Sequence, residues 1–384
     1  MYPRIIADLD RLRENMERMT ALCHAHGLTA ALVSKCVCAD ARIAGLMAEA
    51  GADFLADSRV QNLARLPGSK PRYLLRVAQP SEVDDVVRCA EVSQQSEPCT
   101  VRLLGEAAAR QGKRHKVVIM IDMGDLREGV FFRDTDAIHA LAESVIACPA
   151  LELYGVGVNM TCFGGVLPSQ ENLFGLVQIA RSLRKRYGLP IPFVSGGNSS
   201  ALTMLRAGAI PEGITNLRIG EGYLLGNDTG ALVPMEGYHT DCFTLEAQLV
   251  EVKRKPSRPI GDCGANAFGE KVEFPDRGEM RRGICAIGRQ DVVPGGLTPH
   301  DSRVEILGAS SDHLIVNLTG APDYKVGDVL SFNLDYGALL RAYTSGSTGP
   351  SKQVIQRIRY KSVPDSCPVH RLRLFSESLN QTIT

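Results

Sequence analysis

Ala31-Leu32-Val33-Ser34-Lys35 is a short apolar run that ends in a lysine, and the helix-forming stretch 40–50 follows it. A β/α unit that opens this way places its lysine at the C-terminal end of the strand. In a (β/α)8 barrel that end is the face where chemistry sits. Apolar walls lower a lysine's pKa by penalising its charged form, and a neutral amine forms a Schiff base with an aldehyde. The same five residues also suit a lysine that caps a strand end and snorkels to water, so the surrounding chain has to decide.

Outward from this run, the pattern repeats. Strand-like runs are expected at residues 54–58, 72–77, 100–104, 116–122, 153–159, 192–196 and 217–220. Helix-patterned segments lie between most of them, at 39–50, 60–66, 81–92, 106–111, 135–147, 170–187 and 199–207. Ahead of the first run, residues 4–7 read as one more strand, and 9–19 as an amphipathic helix with Leu9, Leu12, Met16 and Met19 on one stripe. Eight strands with intervening helices within residues 1–232 match the size and rhythm of an α/β chain folded as a (β/α)8 TIM barrel. A doubly wound sheet usually carries a glycine-rich phosphate turn after its first strand. Here that strand ends in lysine and the glycine-rich turns come late. From residue 233 to 345 the texture changes to strand-like runs (243–252, 283–287, 304–306, 313–318 and 329–334) divided by Gly/Pro turns, which predicts a C-terminal β domain. Residues 346–384 open with Gly346-Ser347-Thr348-Gly349-Pro350, are polar throughout, and predict a loosely packed tail.

The bulk properties narrow the functions. The formal net charge is +0 over 384 residues, which leaves no electrostatic footprint for nucleic acid or an anionic membrane. Apolar runs such as 117–121 are far too short to span a bilayer, and Met1-Tyr2-Pro3-Arg4 does not open a signal peptide's apolar core. Eleven cysteines, an odd number with no CxxC pair, predict free thiols in a reducing cytoplasm. Cys23, His24 and His26 cluster near the end of the first helix, but adjacent helix positions point in different directions, so no metal site is expected there.

A second informative stretch is Phe193-Val194-Ser195-Gly196-Gly197-Asn198-Ser199-Ser200. A strand runs into two glycines and then into residues that cap a helix. Glycines let backbone approach an anion, and helix N–H groups with serine hydroxyls bind phosphate. Strands seven and eight of a barrel often share a phosphate site, so Gly220 and Gly222, in Leu217-Arg218-Ile219-Gly220-Glu221-Gly222, suit the same anion. Arg218 then lies near the barrel centre and needs a partner, because its charge cannot be removed. Arg127, after the strand at 116–122, supplies a second arginine on the same face, where a surface salt bridge is an equal alternative. A lysine at one strand end and a phosphate nest at two others fit pyridoxal 5′-phosphate, which carries an aldehyde at one end and a phosphate at the other.

At this point the chain resembles the alanine racemase-like, fold-type III pyridoxal-phosphate enzymes, and within them the ornithine racemase-type amino acid racemases. The likeness spans residues 4–343. It is carried by residues 122–129 (DMGDLREG), 195–202 (SGGNSSAL), 217–220 (LRIG), 284–290 (ICAIGRQ), 308–314 (GASSDHL) and 334–339 (LDYGAL). The resemblance implies that Lys35 is the Schiff-base lysine and one of two proton-transfer groups, and that Arg218 faces the pyridine nitrogen. A permanently protonated guanidinium will not give its proton to the ring, so the ring is a weaker electron sink. It further implies that Asn198, Ser199, Gly220 and Tyr336 bind phosphate, that Arg127 lies near the phenolic oxygen, and that the strand at 4–7 joins the β domain. In such enzymes the β domain of one subunit completes the barrel mouth of its partner, which implies a head-to-tail homodimer.

Two departures stand out. Alanine racemases carry a second acid/base, a tyrosine, in a Ser-Tyr-Gly turn of the β domain. Here the turn is Asn266-Ala267-Phe268-Gly269, and phenylalanine exchanges no proton. Cys263 and Asp262 are the nearby titratable candidates. The residue expected beneath the ring is often histidine, and the matching position here is Asn159. The expected activity is a cytoplasmic amino acid racemase acting on a basic amino acid such as ornithine. A pyridoxal-phosphate carrier with little turnover and an amino acid decarboxylase of the same fold are the alternatives.

Overall fold

The computed structural model describes residues 2–345 and the backbone of residues 351–355. Eight parallel strands close on themselves: Thr29–Val33, Phe54–Asp57, Arg72–Leu74, Val92–Gln95, His115–Asp122, Leu151–Gly157, Phe193–Ser195 and Asn216–Ile219. The last pairs with the first in the register Arg218↔Ala31. Their inward side chains form a core of their own, with Ala31, Val33, Phe54, Ala56, Tyr73, Val92, Val118, Met120 and Phe193. Phe193 is its hub. It meets Phe54 and Tyr73 edge-on, at 5.5 and 5.8 Å between centroids, and stacks on Tyr154 at 5.0 Å. Neighbouring strands leave no room for bulk: a Cβ on Gly155 would collide with the Phe193 carbonyl.

One strand differs from the sequence expectation. Residues 100–104 lie inside the helix Pro98–Arg110, and the fourth barrel strand is Val92–Gln95. Pro98 opens that helix at its first turn, where a missing N–H costs nothing. Thr100, Val101, Leu104, Ala107 and Ala108 then bury one helical face. The true strand reads as polar because its buried side chains find donors and acceptors on distant residues: Ser93 Oγ lies 2.8 Å from His115 Nε2, and Gln94 donates to the Tyr73 hydroxyl at 3.1 Å. Lys35, expected at the strand end, lies two residues beyond it: the strand stops at Val33, and Lys35 opens a 3-10 turn, Lys35–Val37.

The β domain is an antiparallel sheet built on the long strand Phe243–Pro256, with Glu279–Cys285, Leu314–Asn317, Glu305–Ala309, Val329–Leu334 and Leu297–Pro299. Strand Arg4–Asp8 pairs antiparallel with Phe243–Pro256, and Arg4 faces Glu246 in an ion pair of 2.7 Å. Asp8 then caps helix Leu9–Ala25, so the chain passes from the β sheet straight into the barrel's outer layer. Ser351–Ile355 adds a parallel strand to the other edge of Arg4–Asp8; the rest of the expected tail lies outside the described residues. Helix Tyr336–Thr344 leaves the sheet and packs on the Lys35–Val37 turn, with the Cys38 thiol donating to the Tyr343 carbonyl at 3.4 Å.

Phe193→Ala should cost about 3–5 kcal/mol, because the closed barrel cannot collapse into the void. Urea denaturation of the variant beside the parent checks this.

Candidate active site

Lys35 is fixed through its neighbours. The Ser34 hydroxyl donates to Asp57 Oδ2 at 2.6 Å. The other oxygen of Asp57 accepts from Arg59 N at 2.9 Å and from Asn62 Nδ2 at 3.0 Å. Burial raises the Asp57 pKa and these bonds oppose the rise. From the other side, the fully buried Tyr223 hydroxyl donates to the Val33 carbonyl at 2.8 Å. The Lys35 side chain runs over the Tyr336 ring, with Nζ 5.6 Å from its centroid. Burial pushes the Tyr336 phenol well up, and the carboxylate of Glu221 adds to the rise, so its hydroxyl stays protonated.

The glycine-rich turn after the seventh strand lies alongside. Gly197 holds φ +111°, a left-handed value that suits glycine. The Asn198 side chain accepts from Ser200 N at 2.9 Å and donates to the Met160 carbonyl at 3.0 Å. The Ser199 hydroxyl accepts from Gly220 N and from Gly222 N, each at 3.2 Å. One hydroxyl and two backbone donors therefore converge beside Lys35 and Tyr336. N–H groups gathered with a hydroxyl in a turn after a strand are of the kind that can bind an anion.

Arg218 lies at the barrel centre, 2% exposed. It donates to the Ser195 hydroxyl, to the Val158 carbonyl at 2.6 Å and to Asn159 Oδ1 at 2.5 Å. Asn159 in turn donates to Glu128, which is ion-paired with Arg127. Burial pushes the Glu128 carboxyl up, but the hydrogen bond and charge of Arg127 outweigh it and the net shift is down. Burial lowers the Arg218 pKa, with a smaller push from Arg127 and opposition from Tyr73 and Glu128, yet a guanidinium starts so high that it stays charged.

The structure thus brings together Lys35, Tyr336, Asn198, Ser199, Gly220, Arg218, Asn159 and Arg127 on the C-terminal face of the barrel. It does not bring Cys263 or Asp262 to them within one chain. Both lie on the exposed loop between Phe243–Pro256 and Glu279–Cys285, where the Cys263 thiol reaches the Gly261 carbonyl at 3.5 Å. Phe268, on the same loop, is 44% exposed and packs under the Arg289 guanidinium at 4.3 Å.

Besides Asp57, three acidic residues acquire parts that the sequence analysis did not give them. Buried Asp125 accepts from Thr161 N, Phe163 N and Val166 N at 3.0 to 3.1 Å and so holds the loop after the sixth strand. Glu128 joins Asn159 to Arg127. Glu221 stands beside Lys35 and Asp335. Burial raises its carboxyl to about 7, Asp335 adds to the rise and the Lys35 ammonium opposes it. The only sequence signal was position, since each sits within a motif already singled out.

A lysine just past the first barrel strand, a glycine-turned loop after the seventh and a buried arginine on the eighth thus share the C-terminal face of one barrel. The chain belongs to the alanine racemase N-terminal domain family, whose model matches residues 7–226. It is 45% identical to an ornithine racemase of Acetoanaerobium sticklandii over 347 residues, 90% of this chain and 98% of that protein. It is 38% identical to a lysine racemase of Thermotoga maritima over 348 residues, 90% and 97% of the two chains. Among solved structures, an alanine racemase of Clostridium difficile superposes with a TM-score of 0.65 at 17% identity, over 87% of each chain. A D-threo-3-hydroxyaspartate dehydratase of Delftia does so with 0.66 at 19%, over 89% and 92%. These two likenesses speak for the fold.

The raised Glu221 carboxyl has a stability consequence. Its folded value near 7 lies above the ordinary 4.5, so the folded state gives up its proton later than the unfolded chain. The cofactor-free protein should lose stability as pH rises from about 4.5 to 7, by roughly 2–3 kcal/mol. Glu221→Gln should flatten that slope and be the more stable protein at pH 8, as thermal melts across pH would reveal.

Proposed function

We propose that this protein is a pyridoxal 5′-phosphate-dependent racemase of a basic amino acid, with ornithine as the first substrate to test. The observation that carries the reading is the placement of the Lys35 amine beside Tyr336 and the Ser199–Gly220 turn, with Arg218 buried on the adjacent strand. The donor set fits the group: an amine for the aldehyde, a hydroxyl and backbone N–H groups for the phosphate, and guanidiniums for the ring. Asn198, Ser199, Gly220 and Tyr336 would hold the phosphate, Arg218 would face the ring nitrogen, and Arg127 would lie toward the phenolic oxygen and the substrate carboxylate. When bound, pyridoxal phosphate supplies an aldehyde that joins the amino acid and a ring that accepts the electrons of a deprotonated Cα.

The chain's own residues do the rest. Lys35, once released, carries a proton to or from one face of Cα. Arg218 keeps its proton and limits how far the ring draws charge, which favours return of the proton to Cα. The second face is served by a group on the exposed β-domain loop of a partner in a head-to-tail homodimer, with Cys263 and Asp262 the residues to test. Exposure of that whole loop in the single chain supports this arrangement. The similarity to ornithine and lysine racemases over most of the chain supports a basic substrate, and the free cysteines support a cytoplasmic setting.

The test is proton NMR of L-ornithine in D2O with enzyme and pyridoxal phosphate, read beside circular dichroism. Loss of the α-proton signal with decay of the dichroism to zero is expected. Retention of both, with ornithine, lysine and a wider amino acid panel, would overturn the reading. Carbon dioxide release would indicate a decarboxylase. Lys35→Ala should abolish the visible absorbance of the bound cofactor and slow exchange by at least about 10²–10⁴-fold.

A further inference from the structure

Among the described residues, no carboxylate accepts a hydrogen bond from the buried Arg218 guanidinium. Its acceptors are a hydroxyl, a carbonyl and the Asn159 amide oxygen. Its counter-charge lies one residue further out. Asn159 turns its Nδ2 to Glu128, and the same Glu128 oxygen accepts from Arg127 Nη2 at 2.6 Å, while the other accepts from Arg127 Nε. A single carboxylate therefore stands between two guanidiniums, reaching one directly and the other through an amide.

The polarity of that amide is the decisive point. An asparagine side chain has one donor end and one acceptor end. Arg218 offers only donors, so Asn159 must present Oδ1 to it, and its Nδ2 must find an acceptor on the opposite side. Glu128, ionised and with every lone-pair direction an acceptor, is the group that meets it. The carboxylate is 19% exposed at its side chain and Arg127 is 38% exposed, so the line runs from the barrel axis to the mouth.

We propose that Glu128 is the positioning residue of this site: by accepting from both Asn159 and Arg127, it locks the Asn159 amide toward Arg218 and aims Arg127 across the mouth. The proposal rests on the racemase reading given above and deepens it. Glu128 touches neither substrate nor cofactor in this role. It determines where two cations stand, and the pair of guanidiniums exceeds the one carboxylate by a single positive charge, which suits an anionic group in the mouth.

The hydrogen-bond pattern supplies its own test. In Glu128→Gln the new amide cannot accept from Arg127 twice and from Asn159 as well, and a donor is left facing a donor. In the swap Glu128→Gln with Asn159→Asp, the carboxylate is restored one position inward: the aspartate accepts from Arg218 and from the glutamine NH2, and the glutamine oxygen accepts from Arg127 Nε, which leaves only Arg127 Nη2 without its former acceptor. The single variant should retain the visible absorbance of Lys35-bound pyridoxal phosphate but lose about 10²-fold in kcat/KM, mostly through KM for the amino acid. The swap should regain at least about tenfold of that loss. In cofactor-free protein, phenylglyoxal should modify Arg127 several-fold faster in Glu128→Gln, read by mass spectrometry, and the swap should return the rate toward that of the parent.

A single variant with the parent's KM and labelling rate overturns the proposal, and so does a swap no better than the single variant in both readouts. Should Glu128→Gln fail to fold, recovery of folded protein by the swap is the readout, and no recovery counts against it. If the parent protein itself neither binds pyridoxal phosphate nor exchanges an α-proton, the racemase reading falls. The labelling rates then still decide what Glu128 holds.

Discussion

A guanidinium at the axis of a barrel cannot shed its charge, and much of this structure is arranged around that fact. Arg218 gathers the hydroxyl that ends the seventh strand and the carbonyl and amide that follow the sixth. These partners come from different strands, so satisfying one side chain sets the strand ends against each other. Next to the eighth strand, the Ser34–Asp57 bond does the same for the first two strands, and the Tyr223 hydroxyl ties the first strand to the helix after the eighth. Lys35 and Arg218 sit on adjacent strands, yet each is oriented by a different set of bonds. The chemistry proposed needs both held still, because proton transfer at carbon tolerates little misplacement.

The fold was legible wherever a local pattern carried it. The apolar run before Lys35, the switch from α/β alternation to Gly/Pro-punctuated strands, and the turn at Gly196-Gly197-Asn198 are contiguous in sequence and stand as such in the structure. What escaped was whatever depended on a distant partner. Val92-Ser93-Gln94-Gln95 is a strand because Tyr73 meets Gln94 inside the barrel and His115 meets Ser93 on its outer side, and nothing within those four residues announces that. Residues 100–104 looked strand-like on composition, and only Pro98 and the spacing of Thr100, Val101, Leu104 and Ala107 reveal a helix.

The site divides along the same line. Ser199, Gly220, Arg218 and Tyr336 stand in stretches that carry the family resemblance, Lys35 closes the opening apolar run, and the structure gathers them. Asp57, Asp125 and Glu128 work at one remove, on backbone N–H groups or on another side chain as many as 41 positions away, as with Val166 and Asp125. A single sequence gives a carboxylate's position but not what it faces. Asp262 and Cys263 are the converse case: sequence proximity to the expected turn singled them out, whereas the single chain leaves them in solvent.

The small N-terminal strand carries a consequence for how the molecule comes into being. Arg4–Asp8 belongs to a sheet whose central strand begins at Phe243, so the β domain is interrupted by the whole barrel. On the ribosome the first strand emerges long before its partner exists, and it must stay unpaired while the barrel is made. Closing that loop is costly in entropy, though only logarithmically so in its length, and such distant pairings form late. The two domains are therefore unlike beads on a string. The barrel's first helix grows directly out of the strand that the sheet captures, and a barrel cut away from the sheet would begin on an unclaimed edge.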